Sequence, residues 1–117
     1  MNERTMMSLN LALRFILEMV VLVALFVWGI SVSDELILQV LFGVGFPLVA
    51  VIVWGLFVAP KASRRLPDPA RLGVEIGVFG MGVLAFILAG YLLLGLLLAA
   101  ASALSLFLMF YWGQRGY

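Results

Sequence analysis

From Ile76 to Trp112 no side chain carries a formal charge. As one helix, the apolar stretch around this segment, about 40 residues at ~1.5 Å each, would be roughly twice as long as the ~30 Å hydrocarbon core of a bilayer is thick. The chain must therefore turn back inside it, and Gly90, Tyr91 and Gly95 are the only marks of where. Two further apolar runs precede it, from about Ser8 to Ile30 and from about Leu36 to Val58. Four spans of roughly 20 residues each then use up nearly the whole sequence, leaving short loops and no room for a soluble domain.

Composition agrees with this reading. Hydrophobic residues make up 66% and charged residues 11%, against about 25% charged in an ordinary soluble domain. The expected fold is all-α, an integral membrane four-helix bundle forming a single domain over residues 1–117, with helices at about 8–30, 36–58, 69–89 and 92–112. The first run reads as a retained helix rather than a cleaved signal peptide, because nothing soluble follows it. Residues 31–35 (SVSDE) form a turn in which Ser33 or Asp34 is expected to cap the second helix. Gly43, Gly45 and Pro47 predict a bend in that helix, since Pro47 cannot donate to the carbonyl one turn back. Asp68-Pro69 is a start signal for the third, with Asp68 as the cap and Pro69 at the first helical position.

The segment from Trp54 to Glu75 is the long interruption of the apolar pattern, and it carries Lys61, Arg64, Arg65 and Arg71, four of the seven basic residues. Arg4, Lys61, Arg64, Arg65 and Arg115 lie in the two tails and the middle loop, which four spans place on one side, with Arg71 and Arg14 about a turn inside the adjacent helices. The opposite loops contain no Lys or Arg. The positive-inside rule then puts both termini and the middle loop in the cytoplasm. Trp54, Tyr111 and Trp112 fall at that interface, and Trp28 and Tyr91 at the other.

Charge also enters the spans. Counting from the helix starts, Glu18 lies ~13 Å deep, and Arg14 and Glu75 lie ~8–9 Å deep. A charge there costs at least ~2.5–3.5 kcal/mol, so such groups face the bundle interior, pair, or are neutralised. Asn10, Arg14 and Glu18 make one stripe at i, i+4 and i+8, and an Arg14–Glu75 pair between helices competes with the local Arg14–Glu18 pair. One arginine cannot satisfy two carboxylates, so either Arg71 shares the load or one glutamate, by depth Glu18, holds a proton. Outside this cluster the polar side chains assigned to the outer half of the bundle are Gln39, Ser102 and Ser105, and no through-path is evident.

Arg71 and Glu75 also repeat, on the third helix, the i, i+4 pair made by Arg14 and Glu18 on the first. Applied to the second helix, the same offset falls near the fourth. Two parallel two-helix repeats would be related by an axis along the membrane normal. Chance agreement of two charged residues competes with that reading, and the rest of the halves align poorly. Gly73, Gly77, Gly80 and Gly82 on the third helix, with Gly95, Ala99 and Ala103 on the fourth, read as small faces for close helix packing.

The residues Trp54-Gly55-x-Phe57-x-Ala59-Pro60-Lys61-Ala62-x-Arg64-x-Leu66-Pro67-x-Pro69-x-Arg71-Leu72-x-x-Glu75, with Asn10, Phe15 and Glu18 in the first helix, resemble the YrdB family of small bacterial four-helix membrane proteins. The family is one of unknown function. The resemblance implies the bacterial cytoplasmic (inner) membrane as location, and implies that Trp54, Pro60, Lys61, Arg64, Arg71 and Glu75 act together at the cytoplasmic mouth. The small multidrug exporters offer only a fold-level analogy: the surroundings of their first-helix carboxylate are not visible here, and the charge bias excludes dual topology.

Two functional readings stand. In the first, Asn10, Arg14, Glu18, Trp54, Arg71 and Glu75 line a polar pocket open to the cytoplasm that binds or translocates a small solute or ion. In the second, the same Arg/Glu network only fixes helix packing, in a structural or regulatory membrane subunit whose loop residues Lys61, Arg64 and Arg65 bind a partner or anionic lipid. Cysteine and histidine are absent, which removes disulfides, thiol chemistry and the common zinc and haem ligands. No enzymatic activity, metal, cofactor or nucleic-acid partner is expected; membrane lipid is, and a homo-oligomer is compatible with the small faces of the third and fourth helices.

Overall fold

A computed structural model describes residues 2–58, 64, 66–67 and 70–113. The described residues form four helices, each long and apolar enough to cross a membrane: α1 (Glu3–Ser31), α2 (Leu36–Phe57), α3 (Ala70–Leu88) and α4 (Leu92–Tyr111). Helix α1 starts several residues before the apolar run. Asn2 is the reason: its side chain accepts from the Thr5 N–H at 2.8 Å and from the Thr5 hydroxyl at 2.9 Å, satisfying a donor that would otherwise be orphaned. At 29 residues, α1 is about 43 Å long, more than a bilayer core requires.

The turn into α2 uses its polar residues differently from expectation. Glu35 holds the N-cap position with no side-chain bond, and Ser33 Oγ accepts from the Glu35 N–H at 3.1 Å. Neither Ser33 nor Asp34 caps the helix, because that internal bond closes a compact turn before it. Helix α2 runs through Pro47 without interruption. Its last carbonyls are covered by the chain that follows: Leu56 and Phe57 accept from the N–H groups of Arg64 and Leu66 at 3.0 and 2.9 Å. The proposed Asp68 cap and Pro69 lie outside the described residues.

Between α3 and α4 the turn falls at Gly90, whose φ of +94° is costly for any residue with a Cβ. Gly90 N–H donates to Ile87 O at 3.1 Å and Tyr91 N–H to Phe86 O at 2.8 Å. That pair of bonds is a Schellman stop, and it ends α3 inside the uncharged stretch without any polar side chain.

Helix α1 is the hub. It packs against all three other helices, α3 and α4 pack as a hairpin, and α2 leans on α1 with only slight contact to α3. The result is flatter than a square bundle, with Cα extents of 50 × 33 × 20 Å. Leu17, Val21, Ala24 and Leu25 of α1 form the core with Phe79, Ala85 and Phe86 of α3 and Leu98 of α4. In lipid, apolar contact alone gives little reason to associate, and close backbone approach matters more. Two crossings show it. A Cβ on Gly82 would lie 2.9 Å from Val21 and 3.2 Å from Leu98, and one on Gly95 would lie 3.0 Å from the Val83 carbonyl.

Gly29 does the same for α2: its Cα sits directly against the Phe42–Gly43 backbone, and a Cβ on Gly43 would be 2.7 Å from Ile30. By contrast Gly73, Gly77 and Gly80 have open space where a Cβ would be. They do not pack helices together, contrary to the small-face reading, because they lie on the side of α3 opposite its buried stripe of Arg71, Glu75, Phe79, Gly82 and Phe86.

Candidate functional site

Asn10, Arg14, Arg71, Glu75 and Ser105 are the buried polar residues among those described. Three helices supply them. On α1, Asn10 and Arg14 are one turn apart, on the stripe that continues through Leu17 and Val21 into the core. On α3, Arg71 and Glu75 are likewise one turn apart, and Phe79 follows one turn later.

The pairing between helices takes one of the two routes open to it. Arg14 Nη2 donates to Glu75 Oε1, and the two residues are 61 apart in sequence. The Val21–Gly82 contact repeats that separation, so α1 and α3 run parallel with these two layers in register. Glu18 takes second place, with its Oε1 4.0 Å from Arg14 Nε. The guanidinium is also enclosed by two rings: its Cζ lies 5.7 Å from the centre of Trp54 and 5.3 Å from that of Phe79. Trp54 and Phe79 meet edge to face at 5.7 Å. A cation with its charge shared between a carboxylate and two aromatic faces is held far more favourably than a bare one in an apolar interior.

Asn10 makes the second link. Its Nδ2 donates to the Ser105 carbonyl at 3.3 Å, and its Oδ1 accepts from the Ser105 hydroxyl at 3.0 Å. This ties α1 to α4 and corrects the assignment of Ser105 to the outer half of the bundle. Helix α4 runs antiparallel to α1, so a residue late in α4 lies level with one early in α1. Ser102, one turn earlier, lines a cavity of about 260 Å³ with Arg14, Glu75 and Phe79. Sequence reasoning missed Phe79, Ser102 and Ser105. Their signal was available in the helix periods, since Phe79 continues the Arg71, Glu75 face, and the depth of the two serines follows from the direction of α4.

The expected site therefore divides in two. Asn10, Arg14, Arg71 and Glu75 are buried together at one end of α1, α3 and α4. Glu18 and Trp54, beside Arg14, line a separate cavity of about 210 Å³ between α1, α2 and α3, whose remaining walls are apolar. The exposures of the two carboxylates express the division: the Glu75 side chain is 2% accessible and that of Glu18 20%. Arg64 is exposed beside the end of α2, whereas Lys61 and Arg65 lie outside the described residues. Among the described residues no three acidic side chains converge as a metal site would require.

A bundle of apolar helices with one buried arginine–carboxylate pair defines a class of small helical membrane-type proteins. Residues 12–103 match the model of a family described as a protein of unknown function, DUF2568, and the chain belongs to that family. No curated protein matches the chain. No solved structure matches it either.

Proposed function

We propose that this is a non-enzymatic, multi-pass protein of the bacterial cytoplasmic membrane, with both termini in the cytoplasm, that binds or translocates a small cationic solute or ion at Glu18. The one-sided distribution of basic residues supports the orientation, and the YrdB-like motif, which we take to describe the same group as the matched family, supports the compartment. One observation carries the function. Glu18 is a carboxylate within a span, yet it stands at the edge of Arg14's reach and lines a cavity, while Arg14 is engaged by Glu75, Trp54 and Phe79. A carboxylate in that position has unused capacity for a cation, and intramembrane carboxylates with such capacity mark ligand or ion sites.

The structural reading applies to the other half of the cluster. Asn10, Arg14, Glu75 and Ser105 are buried and bonded across helices, so they hold α1, α3 and α4 in register and position Glu18 rather than contact the ligand. The exposed Arg64 remains suited to anionic lipid headgroups. The test is calorimetric titration of alkali ions and small organic cations into the protein in nanodiscs, wild type against Glu18→Gln. Binding by at least one cation that the substitution abolishes is expected. Identical isotherms for both proteins across the panel would sink the pocket and leave a packing role for the whole network.

A further inference from the structure

The cavity at Glu18 does not end the space between α2 and α3. A second cavity of about 510 Å³ adjoins it, lined by Leu25, Trp28, Phe46, Val53, Gly77 and Met81 among others, and Ala50 and Val78 line both. Together they form one lateral cleft along the side where α2 leans away from α3. Its walls are almost wholly hydrocarbon and aromatic, with Glu18 as the charged side chain at one end. Gly77 widens it: nothing lies within 4 Å of where its Cβ would be.

We infer that the ligand of this site is a lipophilic monocation, a single positive charge carried on an alkyl or aryl body, which reaches Glu18 from the bilayer between α2 and α3. This rests on the reading of Glu18 as a cation site and names the class of cation. A small hydrated ion entering this cleft would give up its water for a single carboxylate and receive no other oxygen ligand, whereas hard cations take several. An organic cation with an apolar body gives up little hydration, buries that body against the cleft, and meets the charge at the end. Trp54 and Phe79 beside Glu18, and Trp28 with Phe46 tilted against each other at 4.8 Å further along, offer π faces to such a group. The cleft also requires no path through the polar cluster. Trp54 and Phe79 wall the cleft at the Glu18 end, with Arg14 behind them, and its positive charge discourages a cation from passing deeper.

The experiment compares tetraphenylphosphonium with tetramethylammonium, equal in charge and different in apolar body, by titration into the protein in nanodiscs with empty nanodiscs subtracted. Three proteins are used: wild type, Glu18→Gln and Gly77→Leu, the last chosen because its new side chain starts in open space and fills the cleft. Thermal unfolding checks that each variant is folded. The expected result is binding of tetraphenylphosphonium about a hundredfold tighter than tetramethylammonium, weakened about tenfold or more by either substitution. Tight tetramethylammonium binding that Glu18→Gln removes, with no preference for the larger cation, would overturn the lipophilic class while leaving the cation site standing. Tetraphenylphosphonium binding indifferent to Glu18→Gln would mean that the cleft is simply an acyl-chain groove, and would also overturn it. If neither cation binds wild type, the inference fails and the cation-site reading then rests on the alkali ions alone.

Discussion

The two sides of α1 meet their neighbours in different ways. Toward α3 and α4 it presents Asn10, Arg14, Val21 and Ala24 and is locked by an ion pair, two reciprocal hydrogen bonds and the close approach at Gly82. Toward α2 it presents Glu18, Leu22 and Gly29, with a close backbone approach near the turn at Gly29 and Gly43 and the Trp54 ring over Arg14 toward the other end. It is from α3 that α2 stands off, and the cleft opens between those two helices. A membrane offers little general force for pressing apolar helices together, so specific polar links and small-residue contacts decide where a bundle closes. The α3 and α4 side has both kinds; the α2 side closes on α1 by small-residue contact and ring packing and stays open toward α3.

The contrast breaks first at the ion pair. Glu75→Ala leaves Arg14 buried without its carboxylate, and is expected to cost ~3–5 kcal/mol; unfolding in mixed detergent micelles measures it. The double variant Arg14→Met, Glu75→Met is expected to recover most of the loss, since apolar replacements of similar volume need no charge compensation. If Glu75→Ala were as stable as wild type, the α3 side would be no more firmly locked than the α2 side.

Next comes the close backbone approach on the α2 side. Gly29→Leu drives a side chain into the Phe42 backbone and is expected to lose ~1–3 kcal/mol by forcing the helices apart. Gly73→Leu, in open space, is its control and is expected to shift stability by less than ~0.5 kcal/mol. Equal effects of the two would erase the distinction between packed and open glycines.

A smaller effect is expected at the α1–α4 link. Asn10→Ala and Ser105→Ala should each cost about 1 kcal/mol, with a double-mutant coupling near the ~0.6 kcal/mol typical of hydrogen bonds between helices in membranes. Additive losses would show that the two groups act independently. The smallest change in stability is expected from Glu18→Gln, within ~0.5 kcal/mol, because that carboxylate bears little on helix packing.

What could be read in the sequence follows from how strongly lipid constrains it. The four helices, the turn at Gly90 and the meeting of Arg14, Glu18 and Glu75 were legible because length and depth leave an apolar chain few alternatives. The lean of α2 was not: apart from Gln39 its residues are apolar on every side, with only Gly43 buried, so no periodic stripe indicates which neighbour it takes. Gly73 and Gly77 misled for a related reason, since spacing alone does not say whether a small face meets a helix or lipid. Phe79 is one more aromatic among nine phenylalanines until Arg14 is seen against it. The N-cap at Asn2 lay outside the apolar run, where the hydropathy signal could not extend.

The most direct test sets the two glutamates against each other in one preparation. Glu18→Gln and Glu75→Gln are compared for unfolding stability and for tetraphenylphosphonium binding in the same nanodiscs. Glu18→Gln is expected to keep wild-type stability and lose the cation, while Glu75→Gln is destabilised because Arg14 loses its counter-charge. Destabilisation of Glu18→Gln equal to that of Glu75→Gln, with cation binding unchanged, would contradict this expectation.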